Sequence, residues 1–485
     1  MKPAKAVFIL IACLFTGVFA SKSAAQISPE IESLIENSRA SNAFWTVQVR
    51  DFHGQVLEDL NGDKLIRPAS NLKLISSGLF FNVLGSHYTF ETHIYGRGYQ
   101  EDDVWRGDLI VKGAGDPSIN GTFYDENPLF VFEKWISAIK DLGITEIDGD
   151  LIGFDGLFDD IPYPRGWEWD DLTFYYAPKI SALSFNSNLV DLEIKADGPV
   201  GGVPEIEWFP FNTPFVDFVN EQMITPRGTR FDSSFRRILG TNTILLRSML
   251  PQGRTESRSL TVSNPSLYFL DTLKRCLEKE GIKVSGELFA ESAYEAWSDE
   301  DLTLINIHES EPLYKLVQWL NRESDNFFAE MLLKKIAAQE LDEQGSTEDG
   351  LGLMKEYMHS MQFDTVAVSL RDASGMAPAN LIKAADLNRF LLQVQSKEYY
   401  PYLFESLANG TVNGTLSHRF RNSPVRQEFF GKTGFVSGVR ALSGYLNTIT
   451  GRQLAVTIVT NNYTVRTAHV DFIHEQILDY LYQQY

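Results

Sequence analysis

Apolar positions change their spacing several times along the chain, and each change marks an element. From 43 to 61 they alternate, at Trp45, Val47 and Val49, then at Val56 beyond a turn at Gly54. Period two on both sides of a turn predicts a hairpin. Directly after it, in RPASNLKLISSGLFF, Pro68 precedes a run of helix formers whose apolar members are Leu72, Leu74, Ile75, Leu79 and Phe80. That run predicts a buried helix beginning near Ser70. Between about 96 and 302 short alternating runs are cut by Gly, Asp and Pro, and Trp and Tyr crowd into GWEWDDLTFYYAP at 166–178. This texture predicts a mostly β insertion made of two small subdomains. Within it Leu129, Phe132, Ile136 and Ile139 recur at helical spacing, as on a surface helix.

Long helical periodicity returns after about 310, in PLYKLVQWLNRESDNFFAEMLLKKIAAQ and around 354–361. Strand alternation resumes at Val439–Asn447 and 454–460 about a turn near Gly451. A final amphipathic helix follows, marked by Val470, Ile473, Ile477 and Leu481. Its polar face is acidic, so packing on the sheet is the expected role rather than membrane attachment. No repeat or low-complexity segment occurs.

Composition alters this picture chiefly at the start. MKPAK, an apolar run over 6–20 and SKSAAQ make a basic head, a core too short to span a bilayer and a small-residue cleavage site. They predict a signal peptide over 1–25 and an exported, periplasmic protein beginning at Gln26. LIAC around Cys13 loosely matches a lipidation site, but Leu14 and Phe15 continue the apolar run where a polar tether would stand. Cleavage leaves Cys276 as the sole cysteine, in a helix-like stretch, read as a core residue and not a catalytic thiol. The 485 residues allow two or three domains, and a net charge of -21 argues against nucleic acid and anionic membranes as partners. No later run is long enough for a transmembrane helix. Eight histidines with neither HxxxH nor HExxH spacing predict no metal and no cofactor.

Candidate chemistry starts at Ser70 and Lys73. Positions i and i+3 share a helix face, so a hydroxyl and an amine can meet there. Serine is a weak nucleophile until a base takes its proton. Lysine serves as that base only if desolvation, a second cation or the helix N-terminus lowers its pKa by roughly three units. About two SxxK strings occur by chance in such a chain, and Ser137 with Lys140 on the amphipathic helix is read as a decoy. Ser324 and Asn326, between two helical stretches, offer a hydroxyl to relay a proton and an amide to hold a substrate. Similar strings at Ser118 with Asn120 and Ser184 with Asn186 make that pair uninformative alone. Lys432, Thr433 and Gly434 precede a strand and occur once, where about 0.1 is expected by chance. There a cation and a hydroxyl can grip a carboxylate while the glycine admits close approach.

The order SxxK, SxN, KTG resembles the active-site set of serine β-lactamases and penicillin-binding proteins. PASNLKL at Pro68, SDNFFAEML at Ser324, DASGM at Asp372 and GKTGFVSGVRALSGYL at Gly431 carry the likeness further. With GDLIVKGAGDPS at Gly107, GWEWDDL at Gly166 and SALSFNSNLVDL at Ser181, they make the chain similar to low-molecular-mass class C penicillin-binding proteins. These are the D-alanyl-D-alanine carboxypeptidase/endopeptidase type. The resemblance implies an α+β fold, with a transpeptidase-like domain split over 26–95 and 296–485 by an insertion at 96–295. The gap of about 250 residues between Ser70 and Ser324, against about 110 between Ser324 and Lys432, fits such an insertion.

The same resemblance implies Ser70 as nucleophile, Lys73 as base, Ser324 as proton donor to the leaving amine and Asn326 as a partner of the substrate peptide. Lys432 and Thr433 would bind the terminal carboxylate, and the backbone N–H groups of Ser70 and Phe435 would form the oxyanion hole. Asp171 matches a position that reaches toward the amine of a diaminopimelate side chain. Two places depart from the family pattern. Phe435 stands where Ser or Thr is usual, and Ala377, Pro378 and Ala379 follow DASGM where members selecting diaminopimelate usually carry an Arg. Three activities share this chemistry: a DD-peptidase on peptidoglycan stem peptides, acylated by β-lactams; a β-lactam hydrolase or esterase; and a slowly acylating wall sensor.

Overall fold

The predicted hairpin pairs with strands from the far end of the chain. Strands Phe44–Asp51 and Val56–Leu60 join Phe429–Val436, Val439–Asn447 and Gln453–Asn461 in one antiparallel sheet. Its order places Phe44–Asp51 beside Gln453–Asn461 and Phe429–Val436 at an edge, with Lys432 opposite Ser443. The structure, a computed structural model, describes residues 26–294, 298 and 300–485. The expected signal peptide, Cys13 and the expected junction at 295–296 lie outside the described residues.

Helices cover both faces of this sheet. On one, Ile31 and Ile35 of Pro29–Glu36 and Val470, Ile477 and Leu481 of Thr467–Gln484 bury against Val47, Val456 and Ile458. The last helix thus spends its apolar stripe on the sheet, as its pattern predicts. On the other face lies the helix Leu72–Leu84, in which every residue from Leu72 to Phe81 is buried. A helix apolar nearly all round needs neighbours on all sides. Phe328 and Leu332 of Asn326–Leu341, Phe390 of Ala384–Gln393, and Ala441 and Val459 of the sheet share its core.

A separate core draws its buried residues from Ile94 to Val284. It sits on a seven-stranded sheet, with helices Phe130–Asp141 and Pro265–Lys279 against it and Cys276 buried in the second. The chain enters this sheet by Glu91–Glu101 and leaves by Leu302–Glu309, two strands paired with each other from Glu91 opposite Glu309 to Arg97 opposite Leu302. The first of these strands contains the expected limit at 96, and the second begins beyond 295. Alternation reveals a strand but not its sheet, because the pairing partner is about 200 residues away. Smaller sheets, among them Leu189–Lys195 with Glu205–Phe209 and Thr255–Thr261, complete this part.

The aromatic stretch at 166–178 belongs to an arm that crosses from one core to the other. Phe158, Ile180 and Ala182 join the core around the helix Leu72–Leu84. Farther along, Trp167 donates from its indole to Asp372 Oδ2 at 3.0 Å. Among the described residues no helix is long and apolar enough to cross a membrane.

Candidate active site

The chain tightens into a 3-10 turn, Ala69–Asn71, just before the helix Leu72–Leu84, and this turn presents Ser70. Ala69 has φ +46°, a left-handed conformation that costs a non-glycine residue energy. Two contacts hold the turn in place. Asn71, fully buried, accepts from Ser443 Oγ at 2.7 Å and donates to the Lys432 carbonyl at 2.8 Å, which ties the serine turn to the KTG strand. Gly434 on that strand lies so close to Pro68 that a Cβ would sit 2.9 Å from its carbonyl oxygen. Any side chain there would push the strand off the turn that carries Ser70, which gives the glycine its physical reason.

Lys73 is fully buried, and its Nζ lies 3.0 Å from Ser70 Oγ, 2.6 Å from Asn326 Oδ1 and 2.8 Å from the Ser374 carbonyl oxygen. A neutral amine has two N–H groups and one lone pair. The two acceptors that can only accept, Asn326 Oδ1 and the Ser374 carbonyl, take both N–H groups and turn the lone pair toward the Ser70 hydroxyl. Burial brings the amine down to about 8, against the charges of Asp372, Glu330 and Asp325, which hold it up.

The second hydroxyl and cation meet nearby. Lys432, also fully buried, donates to Ser324 Oγ at 2.8 Å and to the Thr433 carbonyl at 2.9 Å. Burial, then the neighbouring Lys73, pushes its amine well below the ordinary lysine value. Ser324 ends a single π-helical turn, Leu320–Ser324, with φ +62°, and Asp325 then caps the helix Asn326–Leu341 by accepting from Phe328 N at 3.1 Å. The break between the two predicted helices therefore aims Ser324 at Lys432 and Asn326 at Lys73.

Asn326 Nδ2 donates to the Tyr176 carbonyl at 2.8 Å and approaches Met376 Sδ at 3.5 Å, so the arm borders the site. Asp171 reaches this border through Tyr176, whose hydroxyl it accepts from at 2.8 Å. Thr433 is buried on the KTG strand, whereas Phe435 is 56% exposed. The decoys have other uses. Ser137 and Lys140 are exposed, and Lys140 pairs with Glu280 at 2.6 Å. Ser118 donates to Asp116 at 2.6 Å and Ser184 to the Ser181 carbonyl at 2.7 Å.

Sequence reasoning missed Asn71 and Glu330, and it gave no role to Ser374. Glu330 carried a faint signal, a carboxylate inside the apolar run FFAEMLL one helical turn beyond Asn326. Ser374 contributes a backbone carbonyl, which no side-chain pattern reveals.

The D-alanyl-D-alanine carboxypeptidase of Actinomadura sp. (strain R39) is 26% identical over 452 residues, spanning 90% of this chain and 81% of that protein. The D-alanyl-D-alanine carboxypeptidase DacB of Haemophilus influenzae is 25% identical over 420 residues, 84% of this chain and 83% of its own. In structure, penicillin binding protein 4 (dacB) from Haemophilus influenzae superposes with a TM-score of 0.81 at 22% identity, over 94% of this chain and 100% of that one. That likeness is one of fold, an α+β transpeptidase-like architecture. The model of the D-Ala-D-Ala carboxypeptidase 3 (S13) family matches residues 27–483. With nearly the whole described chain matched and its SxxK, SxN and KTG residues gathered about one buried amine pair, the protein belongs to the D-Ala-D-Ala carboxypeptidase 3 (S13) family.

Proposed function

We propose that the protein is exported to the periplasm and cleaves the D-alanyl-D-alanine ends of peptidoglycan stem peptides by acyl transfer through Ser70, and that β-lactams acylate the same serine. The observation that carries this reading is the bonding of Lys73, whose two obligate acceptors leave its lone pair for the Ser70 hydroxyl. The export signal rests on the N-terminal sequence alone.

In this scheme Ser70 Oγ attacks the carbonyl carbon of the penultimate D-alanine while its proton passes to Lys73 Nζ. The backbone N–H groups of Ser70 and Phe435 take the charge that develops on the carbonyl oxygen. Lys432 and Thr433 bind the carboxylate of the terminal D-alanine, and Ser324, hydrogen-bonded to Lys432, gives the departing amine its proton. Asn326 holds the stem peptide by trading its long contact with Met376 sulfur for the substrate's carbonyl oxygen. The proton held by Lys73 replaces the one that Ser324 gives up, and the freed amine then takes a proton from the water that attacks the ester and returns it to Ser70 Oγ as the ester bond breaks. Glu91–Glu101 through Leu302–Glu309 forms the inserted part of this enzyme, and its arm supplies Asp171 toward an amine on the third stem residue.

The test is to incubate the purified protein with a fluorescent penicillin and, separately, with a peptide ending in D-Ala-D-Ala. Durable labelling together with D-alanine release is expected, and Ser70→Ala abolishes both while the exposed Ser137→Ala changes neither. Labelling that survives Ser70→Ala would overturn the assignment, and rapid turnover of the label without D-alanine release would mark a β-lactam hydrolase instead.

A further inference from the structure

Beneath Lys73 lies a second carboxyl group that the scheme above does not use. Glu330 stands on the helix Asn326–Leu341, one turn beyond Asn326, and is 1% exposed. Its Oε1 accepts from the backbone N–H of Ser374 at 2.8 Å and of Ala373 at 3.1 Å, and its Oε2 approaches the latter at 3.2 Å. These two peptide groups precede the Ser374 carbonyl that takes one N–H of Lys73. The other side of the loop is fixed by Asp372, which accepts from Gly375 N at 2.7 Å, Ala377 N at 2.6 Å, Asn380 Nδ2 at 2.8 Å and the Trp167 indole. Four donors satisfy Asp372 as a carboxylate. Glu330 is held by these two peptide groups, with the Ser374 side chain beside it, and among the described residues no cation is hydrogen-bonded to it, so the loop's aim depends on a buried carboxyl compensated by neutral donors alone.

We propose that Glu330 is a positioning residue of the acylation step: it aims the Ser374 carbonyl at Lys73, and its charge strengthens Lys73 as a base. This rests on Ser70 and Lys73 acting as nucleophile and base. When Ser70 Oγ gives up its proton, Lys73 becomes a fully buried ammonium, and an anion below stabilises that cation. The charged groups facing Lys73 are Asp372, Glu330, Asp325 and Lys432. Those facing Glu330 are Asp372, Lys73 and, on its own helix, Lys334, which is bonded to Asp159 of the arm. Burial and then the charge of Asp372 push Glu330 upward, while burial brings Lys73 down.

The sign follows from the charge. An ionised Glu330 holds the proton on Lys73, so replacing it with a neutral isostere releases the amine at lower pH. Glu330→Gln keeps an acceptor oxygen for the loop and removes the charge; Glu330→Ala removes both. The experiment measures the rate of labelling by a fluorescent penicillin from pH 5 to 10 for the intact protein and both variants, with a thermal melt of each and Ser70→Ala as control. Glu330→Gln is expected to label with its acid limb moved down by about half a pH unit or more. Glu330→Ala is expected to lose about tenfold or more at every pH. An acid limb unmoved or raised in a folded Glu330→Gln would overturn the proposal, as would a folded Glu330→Ala that labels normally. If Glu330→Ala does not fold, the limb of Glu330→Gln alone decides. Failure of the underlying reading is separate, since it shows as labelling in Ser70→Ala.

Discussion

Gly375 touches the backbone of Ala69: a Cβ built on it would lie 1.9 Å from the Ala69 carbonyl oxygen and 3.1 Å from Ser70 N. The DASGM loop and the serine turn are therefore pressed together at the one point where the loop has no side chain. Gly375 also has φ +82°, in the left-handed region that glycine enters without cost. Because the atoms in the way are backbone, neither partner can yield by changing a rotamer.

Gly375→Ala is consequently expected to displace Ser70 and the Ser374 carbonyl together. A shift near 1 Å at a nucleophile costs about a hundredfold in rate, while the strained backbone costs about 1–3 kcal/mol of stability. Penicillin labelling and a denaturant titration on the same sample separate these effects. A variant that labels at the normal rate would show that the loop does not fix the nucleophile.

Acylation should depend on pH through Lys73. Its amine, brought down to about 8 by burial, accepts the Ser70 proton only when unprotonated. Below that value each unit of pH removes about nine-tenths of the free amine, so the labelling rate is expected to rise about tenfold per unit and level off above about 8. The measurement is the labelling rate at fixed penicillin concentration across pH 5 to 10. A profile flat through pH 6 to 8 would show that a different group takes the proton.

What the sequence revealed and what it hid follow from the range of the interactions. Ser70 with Lys73 is an i, i+3 relation, and the Val439–Asn447 strand follows from alternation, so both are legible locally. The one-time occurrence of Lys432–Thr433–Gly434 marked the third motif, although its meeting with Ser324 spans 108 residues. By contrast, Asn71 and Ser443 lie 372 residues apart and Lys73 and the Ser374 carbonyl 301, and neither pair has a spacing that predicts contact. The pairing of Glu91–Glu101 with Leu302–Glu309 was hidden for the same reason, since each strand finds its partner about 200 residues away. Even the turn that aims Ser324 was invisible, because its φ of +62° falls on a serine and not on a glycine.

Phe435 tests how the carboxylate end of a peptide is gripped. On a strand, residues two apart face the same side, so Phe435 shares the side of Thr433, with an exposed ring and no hydroxyl. Phe435→Ser adds a donor to a carboxylate and is expected to lower KM for a D-Ala-D-Ala peptide about tenfold, with the fold undisturbed because the ring is 56% exposed. Phe435→Ala is expected to leave KM nearly unchanged. D-alanine release at varied peptide concentration distinguishes the two, and equal effects from Ser and Ala would mean that only the ring's bulk matters.

Asp171 stands apart from the acylation residues, and that separation gives it a distinct prediction. Its carboxylate accepts from the Tyr176 hydroxyl, while the Tyr176 carbonyl accepts a hydrogen bond from Asn326 Nδ2, so the acid lies one residue beyond the amide that borders Lys73. In the proposed scheme it meets the stem peptide behind the scissile bond and not the reacting atoms. Asp171→Asn keeps the bond to Tyr176 and removes only the charge. D-alanine release from stem peptides with a free amine on the third residue is expected to fall about tenfold, a loss of one charge-assisted bond. Release from the same peptides with that amine acetylated, and labelling by penicillin, should hardly change. Equal losses on both peptides would show that Asp171 supports the arm and does not read the substrate.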